Sequence, residues 1–342
     1  TLPHASHDNA FLALSGSAPF IFLKLDQIRF DGNCRRALRA ILCGMTDAML
    51  VFDRRTVRQR RDRAARDFSR SDFLYREVGG RLADRLLDIA RTFPRALDLG
   101  CHAGTLRSAL PGGGKIGDLV QCDLSESMVR QAGGPRLVGD EEALPFAESC
   151  FDLIVSNLSL HWVNDLPGTL LQVHRCLKAD GLFLAATLGG DTLVELRDSL
   201  MAAEIEIRDG VSPRLSPFMQ ISDAGALLQR AGFALPVIDA DKIVATYANM
   251  FALMADLRSM GETNAATARP RHFTPRALFL RAAELYGQRH ANADGRIRAT
   301  FEVIYLHGWV PHESQQKALR PGSAQTRLAD VLDTTEITTP PE

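Results

Sequence analysis

Ala96-Leu-Asp-Leu-Gly-Cys-His-Ala-Gly104 is the stretch on which the fold turns. A short apolar run, Ala96–Leu99, passes at once into a glycine-bounded turn and then a helical stretch near Leu106–Leu110. A tight glycine turn between strand and helix lets backbone N–H groups approach a ligand, and the helix N-terminus adds a positive dipole end. Alone, a G-x-x-x-G turn is a weak signal, but three further segments join it. The apolar run Leu119–Cys122 ends at Asp123, a position suited to accept hydrogen bonds from ribose hydroxyls. Gly139-Asp-Glu-Glu-Ala-Leu-Pro-Phe146 carries Asp140, which can accept from an adenine amino group. Phe151-Asp-Leu-Ile-Val-Ser-Asn157 reads as a strand that delivers its C-terminal end to the same edge.

The same alternation continues outward. Asp152–Ser156 and Leu182–Thr187 read as strands, with helices near Ser127–Gly133 and Pro167–Leu177. Strands and helices alternating in steps of about 30 residues imply a parallel sheet with helices on both faces. Ligands in such sheets bind beyond the carboxyl ends of the strands. Upstream, Phe73, Leu74, Val78, Leu82, Leu86, Leu87 and Ile89 recur mostly at three or four, which predicts an amphipathic helix over 72–91 closed by Pro94. Downstream, 192–207 and 222–231 read as helices, the second capped by Gly232. Val237–Thr246 and Thr300–Trp309 read as strands separated by a helical insertion near 248–290. The organisation expected is an extension over 1–50, a helical region over 51–93 and a cofactor-binding core over 94–190. A C-terminal half over 191–330 completes the sheet and covers the substrate site, and 331–342 is a tail.

Of the 342 residues, 46% are apolar and 24% charged, which excludes wholesale disorder. Forty basic against 41 acidic residues, a net charge of −1, argue against a nucleic-acid coat or a general membrane-surface binder. No apolar run reaches the ~18–20 residues of a membrane span. Cys34, Cys43, Cys101, Cys122, Cys150 and Cys176 show no C-x-x-C pair and no zinc spacing. Several lie in apolar runs, where a reduced thiol behaves as a small hydrophobe, so a reducing compartment is expected. Residues 1–44 lack periodicity and are expected to be a poorly ordered extension, either an upstream start-site artefact or a transit peptide. Arg35, Arg36 and Arg39 favour the second; Asp8, Asp26 and Asp31 oppose it. Residues 54–66 hold seven arginines, which read as a solvated helix face or docking arm, with RNA or anionic lipid as the other option.

As a set, Ala96–Gly104, Asp123, Gly139–Phe146 and Phe151–Asn157 resemble the class I S-adenosylmethionine-dependent methyltransferases of the methyltransferase-11 type, over about residues 94–190. The resemblance implies a Rossmann-like α/β fold with a mostly parallel seven-stranded sheet, helices on both faces and a helical insertion before the last strand. It implies S-adenosyl-L-methionine as cofactor, with Asp98 near its amino-acid part and Gly100, Cys101 and Gly104 under it. Asp123 and Leu124 would lie at the ribose, Asp140 and Glu141 at the adenine, and Asn157 at the end of the fourth strand. No metal site is implied. One departure is His102, which stands where the family's turn has its middle glycine. A dinucleotide site fits less well, because the G-x-G-x-x-G fingerprint is absent.

Ser156-Asn-Leu-Ser-Leu-His-Trp-Val-Asn-Asp-Leu-Pro167 follows the fourth strand, where the loop of such a fold faces the substrate. His161 is the imidazole placed for general-base work, with a structural histidine beside Trp162 as the other reading. Trp162 is expected as a pocket wall or lid, and Asn157 and Asp165 as residues that orient the loop. Further segments are Phe52-Asp-Arg54, Leu188–Arg197, Ser212–Phe218, Asp256–Asn264 and Gly308–Gln315. Over about residues 50–325 these are similar to the mitochondrial and alphaproteobacterial respiratory complex I assembly factors, which modify an arginine of the quinone-site iron–sulfur subunit by hydroxylation. That resemblance implies a protein substrate, in the cytoplasm of a bacterium or on the matrix side of a mitochondrion. The loop is more distantly similar to the malonyl-carrier-protein methyltransferase of biotin synthesis.

An arginine acceptor calls for carboxylates, because a guanidinium is planar and always charged. Asp191, Glu195 and Glu262 are acids of those segments that could supply them, although Asp191 also reads as the cap of a helix starting at Thr192. Hydroxylation needs an oxidant, and His307 and His312 form no evident facial set with a carboxylate. Methyl transfer to a small molecule or carrier-bound thioester, and a non-catalytic assembly scaffold, stay as alternatives.

Overall fold

Seven strands form one sheet in the order β3-β2-β1-β4-β5-β7-β6. They are β1 (Phe93–Leu99), β2 (Ile116–Asp123), β3 (Arg136–Val138), β4 (Phe151–Asn157), β5 (Leu177–Leu188), β6 (Ala234–Tyr247) and β7 (Ile297–Trp309). The first five pair in parallel, and β7 runs antiparallel to both β5 and β6. This computed structural model describes residues 50–316, 323 and 326–335. The expectations for residues 1–49, with Cys34 and Cys43, and for the tail from 336 lie outside the described residues.

Ahead of the sheet, the arginine run forms α1 (Arg54–Ala64), with the single turn α2 (Phe68–Ser71) and then α3 (Phe73–Leu87) after it. Two short helices, α4 (Thr105–Ala109) and α5 (Glu126–Val129), follow β1 and β2. The sheet splits the apolar side chains between two layers, because successive residues of a strand point to opposite faces. In β5, Leu182, Leu184 and Ala186 face one layer, while Phe183 and Ala185 face the other. On the first face pack α3, α7 (Val194–Arg208), α9 (Met250–Met260) and α10 (Arg276–His290). On the second lie α6 (Leu166–Cys176) and α8 (Ile221–Arg230). Central strand β4 is buried along its whole length, as expected of a strand covered on both sides. Each fully buried Leu, Val or Phe in these layers contributes roughly 1.5–3 kcal/mol.

The expected α/β architecture holds, with local differences that have simple causes. Helix α3 buries the stripe Leu74, Val78, Leu82 and Leu86 but stops at Leu87, and Pro94 sits inside β1 rather than ending the helix. Proline is tolerated near a strand start, where its missing N–H costs little. The insertion before β7 is two helices, because Gly261 takes φ +85° and closes α9. Strand β3 has three residues with no alternation, too short to carry a periodic signal. Just ahead of α1, Phe52 bridges to Ala266. The chain divides into two compact units, Thr1–Pro311 and His312–Glu342, and the site lies within the first.

Candidate active site

Strands β1, β2, β4 and β5 end at the same edge of the sheet, so Asp98, Asp123 and Asn157 are brought together by topology. The turn after β1 is pinned to β2, since the N–H groups of Gly100 and Cys101 donate to the Cys122 carbonyl at 2.7 and 3.0 Å. Gly100 takes φ +74°, and a Cβ there would collide with the Ser159 side chain. Gly104 takes φ +81°, and a Cβ would come within 2.8 Å of Gln121 Oε1. Both positions therefore need glycine for backbone and for space.

His102 does not reach solvent. It is buried at φ +49°, its ring stacked on Phe68 at 5.7 Å and edge-on to Tyr75 at 4.5 Å, with Nε2 3.2 Å from the Leu158 carbonyl. Burial, helped by the nearby Arg61 charge, pulls its pKa down to about 4, so the ring is neutral at pH 7.

Asp98 is fully buried, and neither carboxylate oxygen has a hydrogen-bond partner. Burial first, and the Asp123 charge second, push its pKa up to about 8. A buried acid is normally hydrogen-bonded, and both oxygens of this one are left to accept a donor. An ammonium group, such as that of S-adenosylmethionine's amino-acid end, fits that requirement.

The acids further along this edge, Asp123, Asp140 and Glu141, are arranged differently. Asp123 Oδ1 accepts from Ser125 N at 2.7 Å; its Oδ2 accepts from His102 N at 3.0 Å and from Arg61 Nη1 at 3.2 Å. Glu141, also fully buried, accepts from Arg61 at 3.1 Å, from Ser159 Oγ at 2.6 Å and from Arg54. Arg54 further donates to Asp140 Oδ1 at 2.5 Å. Burial raises the pKa of Glu141, but the guanidiniums of Arg54 and Arg61 outweigh it and hold the carboxyl well below its ordinary range. Cys101 and Leu124 are in small apolar clusters beside these acids, and Asn157 donates from Nδ2 to the Tyr75 carbonyl at 2.9 Å.

A second buried network centres on Glu262, after α9. Its Oε1 accepts from the Tyr75 hydroxyl at 2.7 Å; Oε2 lies 2.9 Å from His161 Nε2 and accepts from Trp162 Nε1 at 3.0 Å. Burial opposes ionisation of Glu262, but His161 and Tyr75 lower its pKa to about 2. His161 Nδ1 has no partner. Trp162 is 2% exposed and packs edge-on against Phe52 at 5.4 Å, so it is an internal brace rather than an open pocket wall. Asp165 caps α6 through Gly168 N at 2.8 Å.

Asp191 and Glu195 are engaged elsewhere. Asp191 is half-exposed and pairs with Lys242 at 2.7 Å; it does not cap α7, whose first residue is Val194. Glu195 is buried and accepts from Thr300 N at 3.1 Å and Thr300 Oγ1 at 2.5 Å, which ties α7 to β7. Asp191 and Glu195 thus meet local partners and stand apart from the Glu262 network. The residues that sequence reading left out are Arg54, Arg61, Tyr75 and Ser159, and Glu262 as a hub. Helical spacing carried a signal for the arginines: 54, 57, 61 and 64 share one face, and Val57, Arg61 and Ala64 are buried. The run is thus a docking arm on that face, while Arg55, Arg58, Arg63 and Arg66 are exposed. Among the described residues no three His, Cys, Asp or Glu side chains are grouped to hold a metal ion, and no helix is long and apolar enough to cross a membrane.

Comparison with known proteins agrees with this geometry. The family described as "Methyltransferase domain" matches residues 97–185. The chain is 43% identical over 290 residues to "Arginine-hydroxylase NDUFAF5, mitochondrial" of Danio rerio, covering 83% of this chain and 90% of that one. To the Homo sapiens protein of the same name it is 44% identical over 288 residues, with coverage of 82% and 83%. It is 37% identical over 299 residues to the malonyl-[acyl-carrier protein] O-methyltransferase of Laribacter hongkongensis, covering 81% and 96%. With such identity across most of both chains, and a sheet edge that keeps an acid at the ends of β1 and β2, the chain belongs to the S-adenosylmethionine-dependent methyltransferase family, in the group of the mitochondrial arginine-hydroxylase NDUFAF5.

Proposed function

We propose that this enzyme holds S-adenosylmethionine at the ends of β1 and β2 and modifies an arginine side chain of a protein, the quinone-site subunit of respiratory complex I, during assembly. The observation that carries the cofactor half is Asp98, a buried acid with both oxygens unpartnered at a glycine turn. In this reading Asp98 takes the ammonium group, Gly100, Cys101 and Gly104 lie beneath the amino-acid portion, Asp123 and Leu124 meet the ribose, and Asp140 with Glu141 meets the adenine. When bound, the cofactor supplies an electrophilic methyl on a sulfonium.

On the acceptor side the chain's own groups are His161, Trp162 and Glu262. Glu262 orients His161 through Nε2, which leaves Nδ1, buried and without a partner, as the nitrogen that would take a proton from an acceptor. Trp162 and Tyr75 donate to the same carboxylate and keep it from rotating. The arginine half is supported by identity to proteins named arginine-hydroxylase over most of both chains.

The test is mass spectrometry of the arginine-bearing peptides of that subunit, from cells with and without the gene. Loss of one oxygen on deletion supports the reading, and loss of a methyl makes the modification methylation. A second reading, methyl transfer to a carrier-bound thioester, is favoured by the 37% identity to the O-methyltransferase. Unchanged subunit peptides, with labelled methyl passing to malonyl-carrier protein, would replace the first reading with this one.

A further inference from the structure

The acids assigned above to the nucleoside already have a cationic occupant. Arg61 is 1% exposed, and its Nη1 lies between Asp123 Oδ2 at 3.2 Å and Glu141 Oε1 at 3.1 Å, while Nη2 donates to Ser159 Oγ at 3.1 Å. Arg54 spans Asp140, Glu141 and the Trp162 carbonyl. We propose that Arg61 and Arg54 of α1 are internal competitors for the cofactor's nucleoside, and set its affinity by having to leave Asp123, Asp140 and Glu141 before it can bind. The proposal rests on the placement of the nucleoside at those acids.

Acceptor capacity supports it. A carboxylate oxygen has two lone-pair sites. Oδ2 of Asp123 already takes two donors, His102 N and Arg61 Nη1. Only the arginine is a side chain able to withdraw, because the other donor belongs to the turn itself. Glu141 is likewise saturated on one oxygen by Arg61 and Ser159, and holds Arg54 on the other. A ribose diol or an adenine amine arriving at the two filled oxygens, Asp123 Oδ2 and Glu141 Oε1, therefore takes the place of a guanidinium.

The helix is also built to be released. Among its buried residues only Val57 and Ala64 are apolar. Its other side-chain ties are polar: Arg60 Nη1 to the Thr263 carbonyl at 2.6 Å, Asp62 to Ser125 Oγ at 2.6 Å and Ser127 N at 3.2 Å, and Thr56 Oγ1, which accepts from Arg269 at 3.0 Å. Withdrawing one partner of a buried ion pair leaves the other without its counter-charge, so release of the arginines is coupled to the arrival of donors that take their place. The Nε atoms of both arginines are buried without a hydrogen-bond partner, that of Arg54 lying 3.7 Å from Glu142 Oε1, so neither guanidinium makes all the hydrogen bonds it could where it sits. A ligand that binds only a fraction of the population has its affinity lowered by that fraction. Weakening the arginine contact removes that reduction.

The experiment measures binding of adenosine and S-adenosylhomocysteine to the full chain by calorimetry. Arg61→Gln is expected to tighten adenosine binding by about tenfold, and Arg54→Gln by less, since Arg54 does not touch Asp123. Unchanged or weaker binding by Arg61→Gln, while Asp123→Asn weakens both ligands, would overturn the competitor role and leave the site assignment standing. Unchanged binding by Asp123→Asn would overturn both. Because Arg61→Gln leaves two buried acids uncompensated and can fail to fold, the unaltered protein provides the second measurement. Phenylglyoxal labelling mapped by mass spectrometry should find Arg61 protected without ligand and reactive with saturating S-adenosylhomocysteine. Continued protection of Arg61 with ligand bound would overturn the proposal.

Discussion

Binding of the cofactor's amino group at Asp98 should be coupled to the loss of a proton, and the coupling has a definite size. Without ligand, burial and the Asp123 charge place the Asp98 carboxyl at about 8, against an ordinary 3.8. At pH 7 it is then about nine-tenths protonated, and an ammonium ligand needs it ionised. Ionising it at pH 7 costs about 1.4 kcal/mol, so affinity there is about tenfold below its limit and falls about another tenfold at pH 6. The ligand's own amine begins to lose its proton near pH 8, so the window to examine runs from about pH 6 to pH 8. Calorimetric titration with S-adenosylhomocysteine, in two buffers of different ionisation enthalpy, reads both affinity and proton release. The expected result is an affinity rising about fiftyfold across the window, with close to one proton released at its acid end. In Asp98→Asn the slope should vanish and the affinity at pH 8 should drop. A flat profile in the unaltered protein, or the same slope in Asp98→Asn, would refute the placement of the amine. The sign for folding is the reverse of the usual carboxylate. The folded pKa lies above the unfolded one, so Asp98 favours the unliganded fold increasingly as pH falls from 8 toward 3.8.

Glu262 behaves oppositely: its folded pKa of about 2, against 4.5, contributes about 3 kcal/mol that is present above pH 4.5 and lost as pH falls toward 2. Glu262→Gln should remove that contribution at neutral pH and flatten the acid limb of stability in urea unfolding; unaltered stability would contradict it. Gly100→Ala combines φ +74° with a collision against Ser159 and should cost about 1–3 kcal/mol, read as a lowered Tm. Adding Ser159→Gly should recover the collision part alone, and a normal Tm for the single variant would sink the steric account. Trp162→Phe keeps the packing on Phe52 but deletes the donor to Glu262. A loss of about 1.5–3 kcal/mol is expected in denaturant titration, and none if the indole N–H contributes nothing.

Much of this molecule is legible in the order of its residues. The alternation around Ala96–Gly104 and Phe151–Asn157 carries the parallel sheet, because strands buried on both faces must be short apolar runs and the crossovers between them must be helical. The acids at strand ends, Asp98 and Asp123, are readable for the same reason: parallel strands deliver their C-termini to one edge. The separate roles of Asp191, Glu195 and Glu262 are not readable. All three are acids in segments of similar appearance, and only packing separates them: one on Lys242, one under Thr300, one beneath Tyr75, His161 and Trp162.

The arginine run divides most clearly between the two levels. Composition and helical period are enough to make residues 54–66 a cationic helix with one inward face, since local sequence sets spacing and charge. Where that face lands is a matter of long-range contact. Arg61 meets Asp123 across 62 residues and Glu141 across 80, and no local rule specifies pairings at that separation. Local order thus accounts for the sheet, the glycine turn and the acids at its edge. That Asp123, Asp140 and Glu141 are held by the chain's own guanidiniums while Asp98 is not follows from the folded chain alone, because a buried charge takes whichever counter-ion the fold brings within reach.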